Sequence, residues 1–127
     1  MQEVNIYEYA VLRLVPRVER EEFMNVGLIL FSKKANYIRT EIHLCPEKIA
    51  AFGGDLNMEE VLENLNNICN VSKGEKGSSP IAELSVPERF RWLTAVRSAI
   101  IQTSRPHPGK TTNLDATFDR LFTELIL

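Results

Sequence analysis

The sequence predicts a single α+β domain over residues 1–127, an antiparallel sheet of three to four strands with helices packed on it. Three observations carry this reading. The N-terminal third alternates apolar, β-branched runs with polar turns. Later segments carry apolar stripes at helical spacing, and no stretch has the length or composition of a linker between two folded units. A chain of 127 residues can bury a core without metal or disulfide staples. Its hydrophobic fraction of 44% and charged fraction of 25% are those of an ordinary globular protein, which excludes the disordered and membrane classes. The formal net charge of -2 gives no global attraction to nucleic acid or anionic lipid. No apolar run approaches the ~20 residues of a membrane helix. Glutamates in MQEVNIYEYAVLRL stand where a signal peptide has lysines, so a cytoplasmic location is expected.

Val4 to Val15 is rich in Val, Ile, Tyr and Leu, a composition that suits a pleated strand. Ile6, Ala10, Leu12 and Leu14 share one parity; Tyr7, Tyr9, Val11, Arg13, Val15 and Arg17 share the other. Pro16 has no N–H for a ladder and should end regular pairing. The charged run VEREE makes a turn. Val26 to Phe31, apolar without interruption, reads as a central strand buried on both sides. Tyr37 to Leu44 alternates, with Ile38, Ile42 and Leu44 on one side and Arg39, Glu41 and His43 on the other. SKKANY has hairpin length and polarity, which completes a three-stranded meander.

Helices follow. Pro46 suits a first helical turn, and Gly53-Gly54 suits a stop. Asn57 with Glu60 forms a capping-box-like start, before a stripe of Met58, Val61, Leu62, Leu65, Ile68 and Cys69 that Asn70 can close. SKGEKGSSP is a loop that lacks the residue order of a phosphate-binding P-loop. Ser85 to Glu88 opens a further helix with Phe90, Trp92, Leu93 and Val96 as its apolar face. SAIIQTS offers a fourth strand, and RPHPGK should break regular structure. Thr112 can cap a final helix whose Leu114, Phe118, Leu121, Phe122 and Leu125 recur on one face, ready to pack on the sheet.

Chemistry-bearing residues are few. Cys45 and Cys69 have no motif spacing and are expected to be reduced thiols. His43, Cys45, Cys69 and His107 do not match a zinc spacing, so no metal and no cofactor is expected. Arg13, Arg17, Arg39 and Arg97 carry the main question. An arginine on an apolar face needs a partner. Either Glu8, Glu19, Glu22 or Glu41 pairs it inside the fold, or its fork is left for a phosphate or carboxylate on something else. Glu21 and Glu22 are adjacent and do not converge on one point, so they read as a solvated turn. Gly27 marks a bulge or a close approach to the strand, and Asn25 can satisfy backbone groups of the turn before it. His107, held between Pro106 and Pro108, is read as a stiff loop residue and a weak candidate for proton transfer.

Two blocks are distinctive as patterns. In YEYAVLRLVPRVEREEFMNVGLILF the marked positions are Tyr9, Arg13, Pro16, Arg17, Arg20, Glu22, Phe23, Asn25 and Gly27. In RSAIIQTSRPHPG, followed by LDATFDRLFTELI, they are Arg97, Gln102, Ser104, His107 and Gly109. With these residues the chain resembles the bacterial family catalogued as domain of unknown function 3037, over nearly its full length, the middle helices being least distinctive. Glu21 departs from the resemblance, which puts a glycine there, and this weakens the expectation of a specially shaped turn. The family has no established activity. The resemblance implies a small cytoplasmic bacterial protein, often encoded near kinases of the HipA-like type, and hence a partner or accessory of such a kinase. Arg20 and Glu22 in the charged turn, with the RPHPG loop, would then be contact surfaces.

The expected function is a non-enzymatic binding or regulatory module acting through a protein partner. The alternative is an anion-binding or enzymatic domain in which Arg13, Arg17 and Arg97 hold a phosphate or carboxylate and His107 moves a proton. A third reading, single-stranded nucleic-acid binding, would use Tyr7, Tyr9, Arg13 and Arg17. Pro16, Gly27 and Gly109 are expected to serve backbone geometry.

Overall fold

The computed structural model describes residues 3–52, 56–77, 79–95 and 100–127. Arg97, Val96 and the Gly53-Gly54 stop lie outside the described residues. Five strands are formed: β1 (Asn5–Leu14), β2 (Met24–Ser32), β3 (Tyr37–Ile42), β4 (Ile101–Thr103) and β5 (His107–Thr111). The described helices are α1 (Pro46–Phe52), α2 (Met58–Lys73), α3 (Val86–Leu93) and α4 (Leu114–Leu125). The sheet is antiparallel in the order β3-β2-β1, with β4 and β5 both along the remaining side of β1.

The meander forms as its sequence predicts. The Val15 N–H makes the last bond of β1, to the Ile100 carbonyl at 2.7 Å, and Pro16 follows with no donor of its own. A fifth strand corrects the expected three to four. RPHPGK does not break regular structure, because His107–Thr111 pairs with Asn5–Tyr9 at the sheet edge, a position that tolerates the missing donor of Pro108. His107 is therefore a strand residue, not a loop residue.

Two bulges shape β1's surroundings. Leu12 faces Gly27 while Arg13 faces Asn25, which leaves Val26 as an extra residue on β2. On the other side Leu12 faces Thr103 and Tyr9 faces His107, so Ser104 to Pro106 stand opposite only Ala10 and Val11. There the Ser104 hydroxyl accepts the Val11 N–H at 2.8 Å, and the Ser104 N–H donates to the Val11 carbonyl at 2.8 Å. The side chain thus replaces a ladder acceptor that the bulge displaces.

The bulge at Val26 also decides which side chains meet. Met24 and Val26, then Ile29 and Phe31, point with Leu12 and Leu14 into a core under α2 and α3. Leu28 and Leu30 point with Tyr7 and Val11 into a second core under α4. The sheet is sandwiched: α1 to α3 on one face, α4 on the other. Gly27 is required at the crossing point, because a Cβ there would lie 2.9 Å from the Glu41 carbonyl oxygen and 2.9 Å from Leu12 Cδ1. Gly109 is required for a different reason: the ring of Tyr7, its partner across β1 and β5, occupies the space a side chain would take.

Helix ends follow local chemistry with a few shifts. Asn57 accepts the Glu60 N–H at 3.2 Å, and Ser85 accepts the Glu88 N–H at 3.4 Å, so both predicted starts form. Asn113 rather than Thr112 caps α4, accepting the Ala116 N–H at 3.0 Å. Asn70 does not end α2, which continues to Lys73 and closes at Gly74. The buried residues of α3 are Val86, Arg89, Phe90 and Leu93, and Trp92 packs half-buried against the same core, so the expected face forms with Arg89 added to it. Leu62, assigned to the α2 stripe, is exposed. No described helix is long and apolar enough to cross a membrane.

Candidate binding site

Arginines at two ends of the α4 face have opposite fates. Arg39 on β3 lies with its guanidinium 4.1 Å from the centroid of Phe118 on α4. Its Nε donates to Glu41 at 2.7 Å, Nη1 to Asp115 at 3.3 Å and Nη2 to Asp119 at 3.2 Å. Tyr37 Oη donates to the same Asp115 carboxylate at 2.7 Å. Burial alone would lower the Arg39 pKa, but hydrogen bonds with Glu41 and Tyr37 hold it above the ordinary guanidinium value. Burial, reinforced by the hydrogen bond to Asp115, pushes the Tyr37 phenol up to about 12. This arginine is satisfied inside the fold and ties β3 to the N-terminal half of α4.

Arg13 is the other case. It sits at the end of β1 between the two bulges, facing Asn25 on one side and Gln102 on the other. Its guanidinium lies 4.1 Å from the centroid of the Phe23 ring, which is 42% exposed. Nε is buried with no hydrogen-bond partner, and among the described residues no carboxylate pairs with the group. Stacking on Phe23 fixes the plane of the fork while its donors meet no partner among the described residues, an arrangement suited to a carboxylate or phosphate from outside.

The remaining candidates scatter around this end. Arg17 lies past Pro16, outside the strand, so the parity that groups it with Arg13 does not extend to it; it is exposed. Arg20 and Glu22 pair with each other at 2.6 Å in the exposed turn. Asn25 does not serve the turn before it. Its Nδ2 donates to the Leu125 carbonyl at 3.1 Å, so the C-terminal turn of α4 ends beside the Arg13–Asn25 pair. Glu21 adopts φ 57, a left-handed backbone that favours glycine, so the turn is specially shaped despite the side chain. His107 faces Tyr9 and packs against it, the rings tilted by 32° with centroids 5.1 Å apart. Since Tyr9 and Arg13 share a β1 face, His107 and Arg13 lie on the same side of the sheet. They stand about 13 Å apart along the strand, with Val11 between them. Tyr7, the first aromatic of the nucleic-acid reading, is buried and offers no ring for a base.

Phe23 was not legible as a site residue before the Val26 bulge was known, because an unbulged register would set Arg13 opposite Val26. Arg89 was missed too. Its Nη1 donates to the Val71 and Ser72 carbonyls at 3.0 and 2.8 Å, closing the C-terminus of α2. Its place three after Val86 and four before Leu93 was the available signal. Cys45 and Cys69 are free thiols, and burial pushes the Cys69 thiol up, away from reactivity. Among the described residues, no three His, Cys, Asp or Glu side chains are grouped as metal ligands.

The arrangement can hold an anion at Arg13, edged by aromatic surface and polar groups. Among the described residues, the His107 ring has an aromatic neighbour in Tyr9 but no hydrogen bond to set its tautomer. Comparison with curated proteins and with solved structures returned no match to this chain. A family model does match, over residues 9–126, and the chain belongs to that family, described as protein of unknown function (DUF3037).

Proposed function

We propose that the chain is a non-enzymatic binding module of the bacterial cytoplasm, which docks on a protein partner by taking one of the partner's anionic groups in the Arg13 fork. The supporting observation is the Arg13 guanidinium on Phe23, which has no hydrogen-bond or acidic partner among the described residues. Arginine and exposed aromatic surface are the residue types that dominate the energy of protein interfaces. A pre-set fork also loses less entropy on binding than a mobile one. A kinase of the HipA-like type is the partner that the family resemblance offers, and Arg20, Glu22 and exposed His107 would contribute rim contacts.

Co-expression with such a kinase, followed by size-exclusion chromatography, tests the reading. Co-elution of the wild type, lost in Arg13→Ala and kept in Arg20→Ala, is expected. Independent elution at micromolar concentrations of both proteins would end the stable-complex version. The enzymatic alternative is weaker, because Arg13 and His107 are separated along β1 and no described nucleophile joins them.

A further inference from the structure

A second surface lies on the opposite face of the sheet, at the other end of β1. Ile6 has the parity of Ala10, Leu12 and Leu14, all of which are 0% exposed, yet Ile6 is 64% exposed and Val4 51%. The strand simply runs on past the layer of helices α1 to α3. Here Val4, Ile6, Phe31 and Pro108 line an open groove of about 720 Å³, with Lys33 and Lys34 of the β2–β3 turn beside them. Phe31 anchors the floor: its ring stacks on Phe90 of the main core, with centroids 4.6 Å apart. Ser32 Oγ donates to the Ile6 carbonyl at 2.9 Å, which holds the turn against β1. The groove is thus built on rigid strands, and its size falls in the range of small-molecule sites.

Charge identifies the occupant. Lys34 is bridged to Glu3 at 2.7 Å, and that hydrogen bond holds the Glu3 carboxyl below its usual range. Lys33 has no acidic partner among the described residues, and Lys110, opposite Ile6 across β1 and β5, adds a third cation nearby. Glu8 is the one acidic side chain in the lining. The chain's own Glu3, though exposed and outside the lining, pairs with Lys34, so a carboxylate can meet a lysine at this end.

We propose that this groove binds a small organic carboxylate with an unbranched acyl or aromatic body, which lies on Ile6 and Phe31 while its carboxylate takes Lys33 and displaces Glu3 from Lys34. This site is independent of the Arg13 fork. Isothermal titration with decanoate, below its micellar concentration, tests it on the full chain, with decanol as the uncharged control. Saturable binding of decanoate, stronger than that of decanol and weakened by added salt, is expected. Ile6→Glu should reduce decanoate affinity by roughly tenfold or more, since it places a charge where apolar surface is buried. The double variant Lys33→Glu, Lys34→Glu should cost decanoate roughly tenfold and leave decanol unchanged. Ile6, Lys33 and Lys34 are exposed, so these variants should keep the wild-type melting temperature. Arg13→Ala should leave decanoate binding intact, which separates this site from the partner reading. The proposal is overturned by equal affinities for decanoate and decanol, or by no binding of decanoate. It is also overturned if sedimentation velocity finds a dimer that Ile6→Glu dissociates, since a second copy would then cover the groove.

Discussion

Arg39 and Arg13 begin from the same geometry and end in different roles. Each guanidinium lies 4.1 Å from an aromatic centroid, Phe118 for one and Phe23 for the other. Both project from the sheet face that α4 covers. The difference comes from the helix. Its first turn carries Asp115, where the helix dipole favours an acid, and Asp119 follows one turn on; both reach Arg39. Its C-terminal end presents carbonyls, and Asn25 takes the one from Leu125. No described acid reaches Arg13. A stacked arginine therefore becomes a staple, or is left without an acid, according to what the neighbouring element brings to it.

Substitutions can break that contrast, and Arg39→Ala should do most. It removes three carboxylate contacts and the Phe118 stacking from a partly buried group, and leaves Glu41, Asp115 and Asp119 without their shared cation. A loss of about 2 kcal/mol in urea unfolding is expected. Next, Asn25→Ala should cost about 1 kcal/mol by leaving the end of α4 untied, and hydrogen exchange should rise in the last turn of that helix. Glu21→Gly should stabilise by up to about 1 kcal/mol, because it relieves a left-handed backbone at φ 57. Arg13→Ala should be the smallest, about 0.5 kcal/mol from the lost stacking on Phe23, since no described hydrogen bond or ion pair goes with it. A large loss there would mean that the guanidinium is a structural group after all.

A titration sharpens the Arg39 side. The Tyr37 phenol is pushed up from 10.0 to about 12 by burial and by its bond to Asp115. A folded-state pKa above the unfolded value means that the neutral phenol favours the fold. Its contribution is intact below about pH 10 and is lost as pH rises toward about 12. Absorbance near the phenolate band should show an ionisation step near pH 12, and Tyr37→Phe should remove that step.

Much of the architecture could be read from residue pattern. The meander, both capped helix starts, the closing helix and the strand end at Pro16 follow from alternation, stripes and one missing donor. The fifth strand was hidden because proline and glycine in RPHPGK speak against a strand, and only its position at an edge makes them harmless. The faces of β2 were hidden by Val26, since a single extra residue exchanges the two sides of a strand without leaving a mark on composition. That same residue decides that Arg13 stands opposite Asn25, diagonal to Phe23. Arginine parity was therefore enough to point at Arg13, and insufficient to find its aromatic seat. Arg17 does not share its strand face, because parity has meaning only while the strand continues and β1 ends at Leu14. Glu21 shows the reverse: the left-handed turn is present although its residue argues against one.

The central claim is that Arg13 presents a free fork while Arg39 is closed by its own fold. Side-chain Nε–Hε resonances, assigned through Arg13→Lys and Arg39→Lys, can follow both groups during a titration with inorganic phosphate at constant ionic strength. A saturable shift of the Arg13 signal, with Arg39 unmoved, is the predicted result. An Arg13 signal that stays in place, or that moves no more than Arg39 does, would contradict it.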